Sequence, residues 1–134
     1  MKTFDLNRFG KTYTIQLKAG VYYYGGNLYI EMLSLEDDDI EPWSDLTVNL
    51  GPILPLNCAY IDVNNNGSDI LDWLRQHRIA VPTGRYGYSG FCRYPEYLFD
   101  EQLLREIDAD GYGKYLNAQE KHSKQQRTKE NETT

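Results

Sequence analysis

Strict period-two alternation in the first third of the chain constrains the fold most. Tyr13, Ile15 and Leu17 fall on one face of an extended segment, and Thr14, Gln16 and Lys18 fall on the other. A helix cannot segregate that pattern, whereas a half-buried strand does so by geometry. Phe4 and Leu6 alternate in the same way ahead of a turn at Asn7 to Lys11 that contains Gly10. Gly20 interrupts or bulges the chain before Val21 to Tyr24, and Gly25-Gly26-Asn27 is a hairpin signal. Leu28, Ile30 and Leu33 to Leu35 continue the strand pattern. Leu46, Val48 and Leu50 alternate with Thr47 and Asn49 before Gly51-Pro52 and Pro55 break the run. Tyr60, Ile61 and Val63 predict one more strand.

Helical spacing appears only later. After the turn Asn64 to Gly67, Ser68 can cap a helix over 69–78, with Ile70, Trp73, Leu74 and His77 on one face. Arg93 to Phe99 predicts a last strand, which Pro95 assigns to an edge or an extended loop. Asp100 reads as the N-cap of a second helix, with Phe99 and Leu104 as its hydrophobic staple and Leu103, Leu104 and Ile107 as its buried stripe. Gly111 and Gly113 end or kink that helix, and Lys114 to Lys121 can resume it. Strands first and helices later predict an α+β fold in one domain over residues 1–116. Its expected architecture is a largely antiparallel sheet of about five strands with two helices in the C-terminal half. Residues 117–134 hold four of the 14 bases, three of the 20 acids and almost no apolar side chains. They predict a polar tail, helical in its first half and mobile at its end.

The 134-residue chain has a net charge of −6. Duplex DNA is therefore not an expected partner, while a basic protein surface can be. Two cysteines, Cys58 and Cys92, stand far apart, which predicts a reducing cytoplasm. The N-terminal Met-Lys-Thr-Phe-Asp has no apolar core, and no apolar run is long enough to span a bilayer, so neither a signal peptide nor a membrane span is expected.

No catalytic residue, cofactor or metal site is expected. Asp108-Ala109-Asp110-Gly111 opens like a calcium loop, but Gln119 stands where the bidentate glutamate is required. His77 and His122 have no ligand-type residue at metal spacing. Gly87-Tyr88-Ser89-Gly90-Phe91 fails the nucleophile-elbow pattern at Phe91. Cys92 has no histidine near it in sequence to act as a base. The glycines at 84, 87 and 90 do not form a phosphate loop.

Binding chemistry concentrates in residues 82–97, where tyrosine, arginine and glycine alternate. Arg85, Tyr86, Tyr88, Arg93 and Tyr97 are the residue types that dominate protein-interface hot spots. The same set can stack single-stranded nucleic acid, or its rings can simply cover a sheet. Phe91 and Cys92 are expected to anchor the segment from within. The acidic run containing Asp37, Asp38 and Asp39 reads as a solvated turn, as an electrostatic interface, or as part of a cation site.

Four separated motifs carry a family resemblance: Gly26 to Ile30, Leu46 to Leu50, Ala59 to Asn65, and Pro82 to Arg85 followed by Ser89 to Pro95. Over about residues 25–100 the chain resembles an uncharacterised domain family carried by plasmids, conjugative elements and phages of bacteria. The resemblance brings no catalytic residues. It implies a cytoplasmic accessory protein of a mobile genetic element. Some small proteins of such elements are anti-CRISPR inhibitors. The expected function is therefore non-enzymatic binding of a protein partner, a CRISPR or other defence nuclease of the host. The acidic surface would meet a basic channel, and the tyrosine–arginine segment would supply the anchors.

Overall fold

A computed structural model describes residues 2–132, with side chains described for residues 2–124. Among the described residues the chain is α+β, with eight strands in two four-stranded antiparallel sheets and three helices. The first sheet is a meander of β1 (Thr3–Arg8), β2 (Lys11–Val21), β3 (Leu28–Glu36) and β4 (Asp39–Asp45). The second has the order β5-β6-β8-β7, built from β5 (Thr47–Val48), β6 (Cys58–Ile61), β7 (Ala80–Ser89) and β8 (Cys92–Phe99). Helices α1 (Val63–Asn66) and α2 (Ile70–Gln76) link β6 to β7, and α3 (Glu101–Glu132) follows β8.

The single five-stranded sheet expected from the sequence is thus corrected to two sheets. Two strands escaped the pattern because both lie at sheet edges and carry proline. β4 pairs only with β3, and Pro42 sits where the register shifts beside Met32 and Leu33. β7 pairs only with β8, and its register shifts between Pro82 and Tyr86. At an edge or a bulge the missing proline N–H costs no ladder bond. β8 is the opposite case, since it lies between β6 and β7 and not at an edge. Pro95 is tolerated there because β6 pairs with β8 only as far as Tyr60↔Glu96, one residue short of it.

Leu46 joins the sheets. Its N–H donates to the Ile30 carbonyl (2.9 Å), and its own carbonyl accepts from the Asp62 N–H (2.9 Å). The Ile30 N–H donates to Thr47 Oγ1 at 3.1 Å. One stretch of chain therefore closes the first sheet and opens the second, and both curve around a shared core. The predicted alternation holds: Phe4, Leu6, Ile15 and Leu17 are buried, joined by Ile30 and Met32 of β3 and by Ala59, Ile61 and Phe99 of the second sheet.

Both predicted helix stripes enter this core. Trp73 and Leu74 are buried, and Trp73 Nε1 donates to the Asp5 carbonyl at 2.8 Å. The N-cap of α2 is Asp69, which makes no side-chain cap hydrogen bond, and not Ser68 as expected. Asp100 caps α3 as predicted, accepting from the Leu103 N–H at 2.9 Å, and Leu103, Leu104, Ile107, Tyr112 and Tyr115 are buried. α3 kinks at Asp108, whose backbone is extended (φ −163°, ψ 81°). The Asp108 carboxylate takes over there, accepting from the Gly111 N–H (3.0 Å) and from the Ala19 N–H of β2 (3.1 Å). The helix runs on past residue 117, where the polar tail was expected to begin. The last two residues of that tail, 133–134, lie outside the described residues.

Candidate functional site

β7 and β8 form a long hairpin that closes through Gly90 (φ +59°) and Phe91, between the registered pair Ser89↔Cys92. Its two faces differ. Along β8 the side chains of Arg93, Pro95, Tyr97 and Phe99 share one face, and those of Cys92, Tyr94, Glu96 and Leu98 share the other.

On the first face the base is core and the outer half is open. Tyr97 and Phe99 are buried in the main cluster. Tyr88 stands directly opposite Arg93, and Tyr86 opposite Pro95. The Arg93 guanidinium lies 4.3 Å from the Tyr86 ring centroid, in cation–π contact. Tyr86 and Tyr88 are 47% and 68% exposed, and Phe91 at the tip is fully exposed.

The second face carries a small cluster of its own, formed by Leu54, Cys58, Tyr60 and Tyr94 with Leu50 and Cys92 at its margin. Gly87 makes this packing possible, because a Cβ there would stand 2.6 Å from Tyr60 Cζ and 2.7 Å from Leu50 Cδ1. Glu96 is buried beside the cluster and forms an ion pair with Arg85. Burial, followed by the nearby Glu96 carboxylate, pushes the Cys58 thiol pKa up. That keeps it protonated and weakens it as a nucleophile. Cys58 and Cys92 are both free thiols.

The residues singled out from the sequence are therefore divided. Tyr86, Tyr88 and Arg93 come together on an open surface. Arg85 faces the other way, held by Glu96. Tyr97 is only 7% exposed and contributes to the core, so it is corrected from partner anchor to packing residue. Phe91, expected to be buried, is the most exposed aromatic. The hairpin turn leaves no chain above it to cover the ring. Asp37 and Asp38 form the turn between β3 and β4 in the other sheet, Asp39 opens β4, and all three are exposed. Asp37 has a left-handed backbone (φ +53°), and neighbouring Glu36 pairs with Lys11. His77 packs edge-on against Phe4 at 5.5 Å and beside Trp73, a structural role. Among the described residues no group of three or more His, Cys, Asp or Glu side chains converges in metal-binding fashion. No helix there is long and apolar enough to cross a membrane.

Other exposed aromatics went unnoticed in the sequence. Tyr23 and Tyr24 are 92% and 77% exposed on the β2–β3 loop. They sit beyond the end of the alternating run, and Gly25-Gly26 after them marks a tip. Phe9 is exposed on the β1–β2 turn at φ +55°, a conformation that asparagine or glycine usually supplies.

No curated protein and no solved structure matches the chain significantly. A family profile does match, over residues 15–119, which span β2 to the middle of α3. The chain belongs to the family described as domain of unknown function DUF4313.

Proposed function

We propose that this protein is a non-enzymatic binding module that engages a protein partner through the outer half of the β7–β8 hairpin. The observation that carries the reading is the joint exposure of Tyr86, Tyr88 and Phe91, with Arg93 held against Tyr86, on a face whose base is anchored in the core. A rigid strand pair presents these rings at low entropic cost, and tyrosine, arginine and large aromatics are effective interface anchors. The raised pKa of Cys58 and its burial agree with a role outside catalysis.

The motif resemblance adds the partner class. We place the chain among cytoplasmic accessory proteins of mobile elements, with a host defence nuclease of the CRISPR type as its target. The net charge of −6 and the exposed turn at Asp37, Asp38 and Asp39 would steer it to a basic, nucleic-acid-binding channel.

The test is capture of host proteins on the immobilised chain, with the wild type compared with Tyr88→Ala and Phe91→Ala. Both side chains are exposed, so the fold should be preserved. Each truncation is expected to cost more than about 1 kcal/mol of binding. Binding that survives both changes removes the hairpin from the interface. Oligonucleotide binding at low salt, lost in the same variants, would instead assign the surface to single-stranded nucleic acid.

A further inference from the structure

A second surface lies at the base of the hairpin, and the tyrosine–arginine patch does not use it. Between the end of α2, the first residues of β7 and the start of α3 there is a groove of about 430 Å³. Val81 and Leu98, a directly registered pair, line it and remain 52% and 42% exposed. Leu98 points to the sheet face opposite Arg93, so this groove and the open tyrosines are separate surfaces.

Two residues on the rim have a left-handed backbone, which asparagine accepts readily and arginine does not. Arg78 (φ +56°) and Asn57 (φ +65°) are both left-handed and both line the groove. Arg78 occupies the position after α2 where glycine is favoured, and the Ile79 N–H closes that helix end on the Leu74 carbonyl at 2.8 Å. An arginine at this position is strained, and backbone strain of this kind clusters at binding sites and ligand clamps. Among the described residues the Arg78 guanidinium has no ion-pair or hydrogen-bond partner. Asn57 is only 8% exposed. Its Oδ1 accepts from the Tyr112 hydroxyl at 2.7 Å, while its side-chain NH2 donates to no described residue. The acids nearby are already engaged, since Asp100 caps the Leu103 N–H and Glu101 pairs with Arg105. The free donors of the groove are thus a guanidinium and an amide beside an apolar wall.

We propose that this groove binds an apolar group that carries a carboxylate, and that its occupant is an apolar residue of a protein partner with a carboxylate next to it. The carboxylate is received by Arg78 and the Asn57 amide, and the apolar part lies on Val81 and Leu98. Charge complementarity selects this occupant: of the four charged side chains that line the groove, Arg75 pairs with Asp72, Glu101 with Arg105 and Asp100 caps α3, which leaves the Arg78 guanidinium as the one charge among the described residues there without a partner. The site stands whether or not the hairpin is the main interface.

The experiment is chemical-shift mapping on the full chain with three probes: N-acetyl-leucine, its neutral amide N-acetyl-leucinamide, and octanoate. N-acetyl-leucine should shift the resonances of Ala80, Val81 and Leu98, and the amide should bind about tenfold more weakly or worse, as loss of a charge-assisted hydrogen bond implies. Arg78→Gly is the decisive variant. Glycine takes this backbone conformation without strain, so the variant should melt no lower than the wild type while losing about tenfold or more in affinity for N-acetyl-leucine. Equal binding of acid and amide, no shift in the groove, or undiminished binding by Arg78→Gly overturns the proposal. Tighter binding of octanoate than of N-acetyl-leucine overturns the peptide occupant in favour of a free fatty acid.

Discussion

Gly111 of α3 packs directly under the Ala19 carbonyl of β2, so closely that a Cβ at position 111 would stand 1.9 Å from that oxygen. Backbone thus meets backbone at the kink of α3, and the Asp108 carboxylate binds both residues' N–H groups. Glycine is required here for approach and not for an unusual φ.

A paired substitution tests this contact. Gly111→Ala should destabilise the protein by about 2 kcal/mol or more, since neither backbone can yield easily. Gly113→Ala, where nothing lies within 4 Å, should gain about 0.5–1 kcal/mol from helix propensity. Urea unfolding of the two variants checks the contrast, and a Gly111→Ala variant no less stable than Gly113→Ala would contradict it.

Arg85 and Glu96 form an ion pair with one buried member. The Glu96 side chain is 3% exposed and that of Arg85 58%. Removing Arg85 leaves a carboxylate in the interior without its counter-ion. Arg85→Ala should therefore lower the melting temperature, and adding Glu96→Gln to it should restore most of the loss. A double variant no more stable than Arg85→Ala would show that the pair does not act as a unit.

The cluster beneath the hairpin depends on Gly87 in a similar way. A methyl there would press into the Tyr60 ring at 2.6 Å. Gly87→Ala should cost about 1–3 kcal/mol by overpacking, and Tyr60→Leu in the same chain should recover part of it. Denaturation of the single and double variants measures the recovery.

Alkaline stability should depend on Tyr22. Burial, opposed by its hydrogen bond with Thr47, raises its pKa to about 12 from 10.0. The folded state holds this proton more tightly than the unfolded state. The stabilisation is therefore complete below pH about 10 and is lost as pH rises through about 12. Tyr22→Phe should flatten the fall of stability across that window, as followed by denaturation at a series of pH values. A slope equal to that of the wild type would assign the effect to other tyrosines.

Much of this architecture can be read locally. The alternation at Tyr13, Ile15 and Leu17, the turns at Gly10 and at Gly25-Gly26, the helix face of Ile70, Trp73 and Leu74, and the Asp100 cap are short-range patterns that the folded chain keeps. Even the kink near Gly111 could be read from its glycines. β4 and β7 could not be read in this way. Their prolines break strand propensity, and only pairing with β3 and β8 makes them strands.

The candidate surface divides along the same line. Composition identified residues 82–97 as rich in recognition side chains, and Tyr86, Tyr88 and Arg93 do meet on one face. Tyr97 and Arg85 lie four and eight residues along the chain from Arg93, yet one is core and the other binds a buried glutamate. Side-chain direction in a hairpin depends on the position of a bulge and on which strand lies behind it. Here these are the register shift between Pro82 and Tyr86 and the placement of β6. The groove at Arg78 is further from the reach of sequence, because it brings Val81 and Leu98 of two strands together with Asn57 and Arg78 of two connecting segments. The sequence by itself determined which segments are extended or helical and which stretch is rich in binding side chains, because both follow from spacing and residue type. Tertiary structure alone decided which of those side chains reach solvent, because burial is set by contacts between segments distant along the chain.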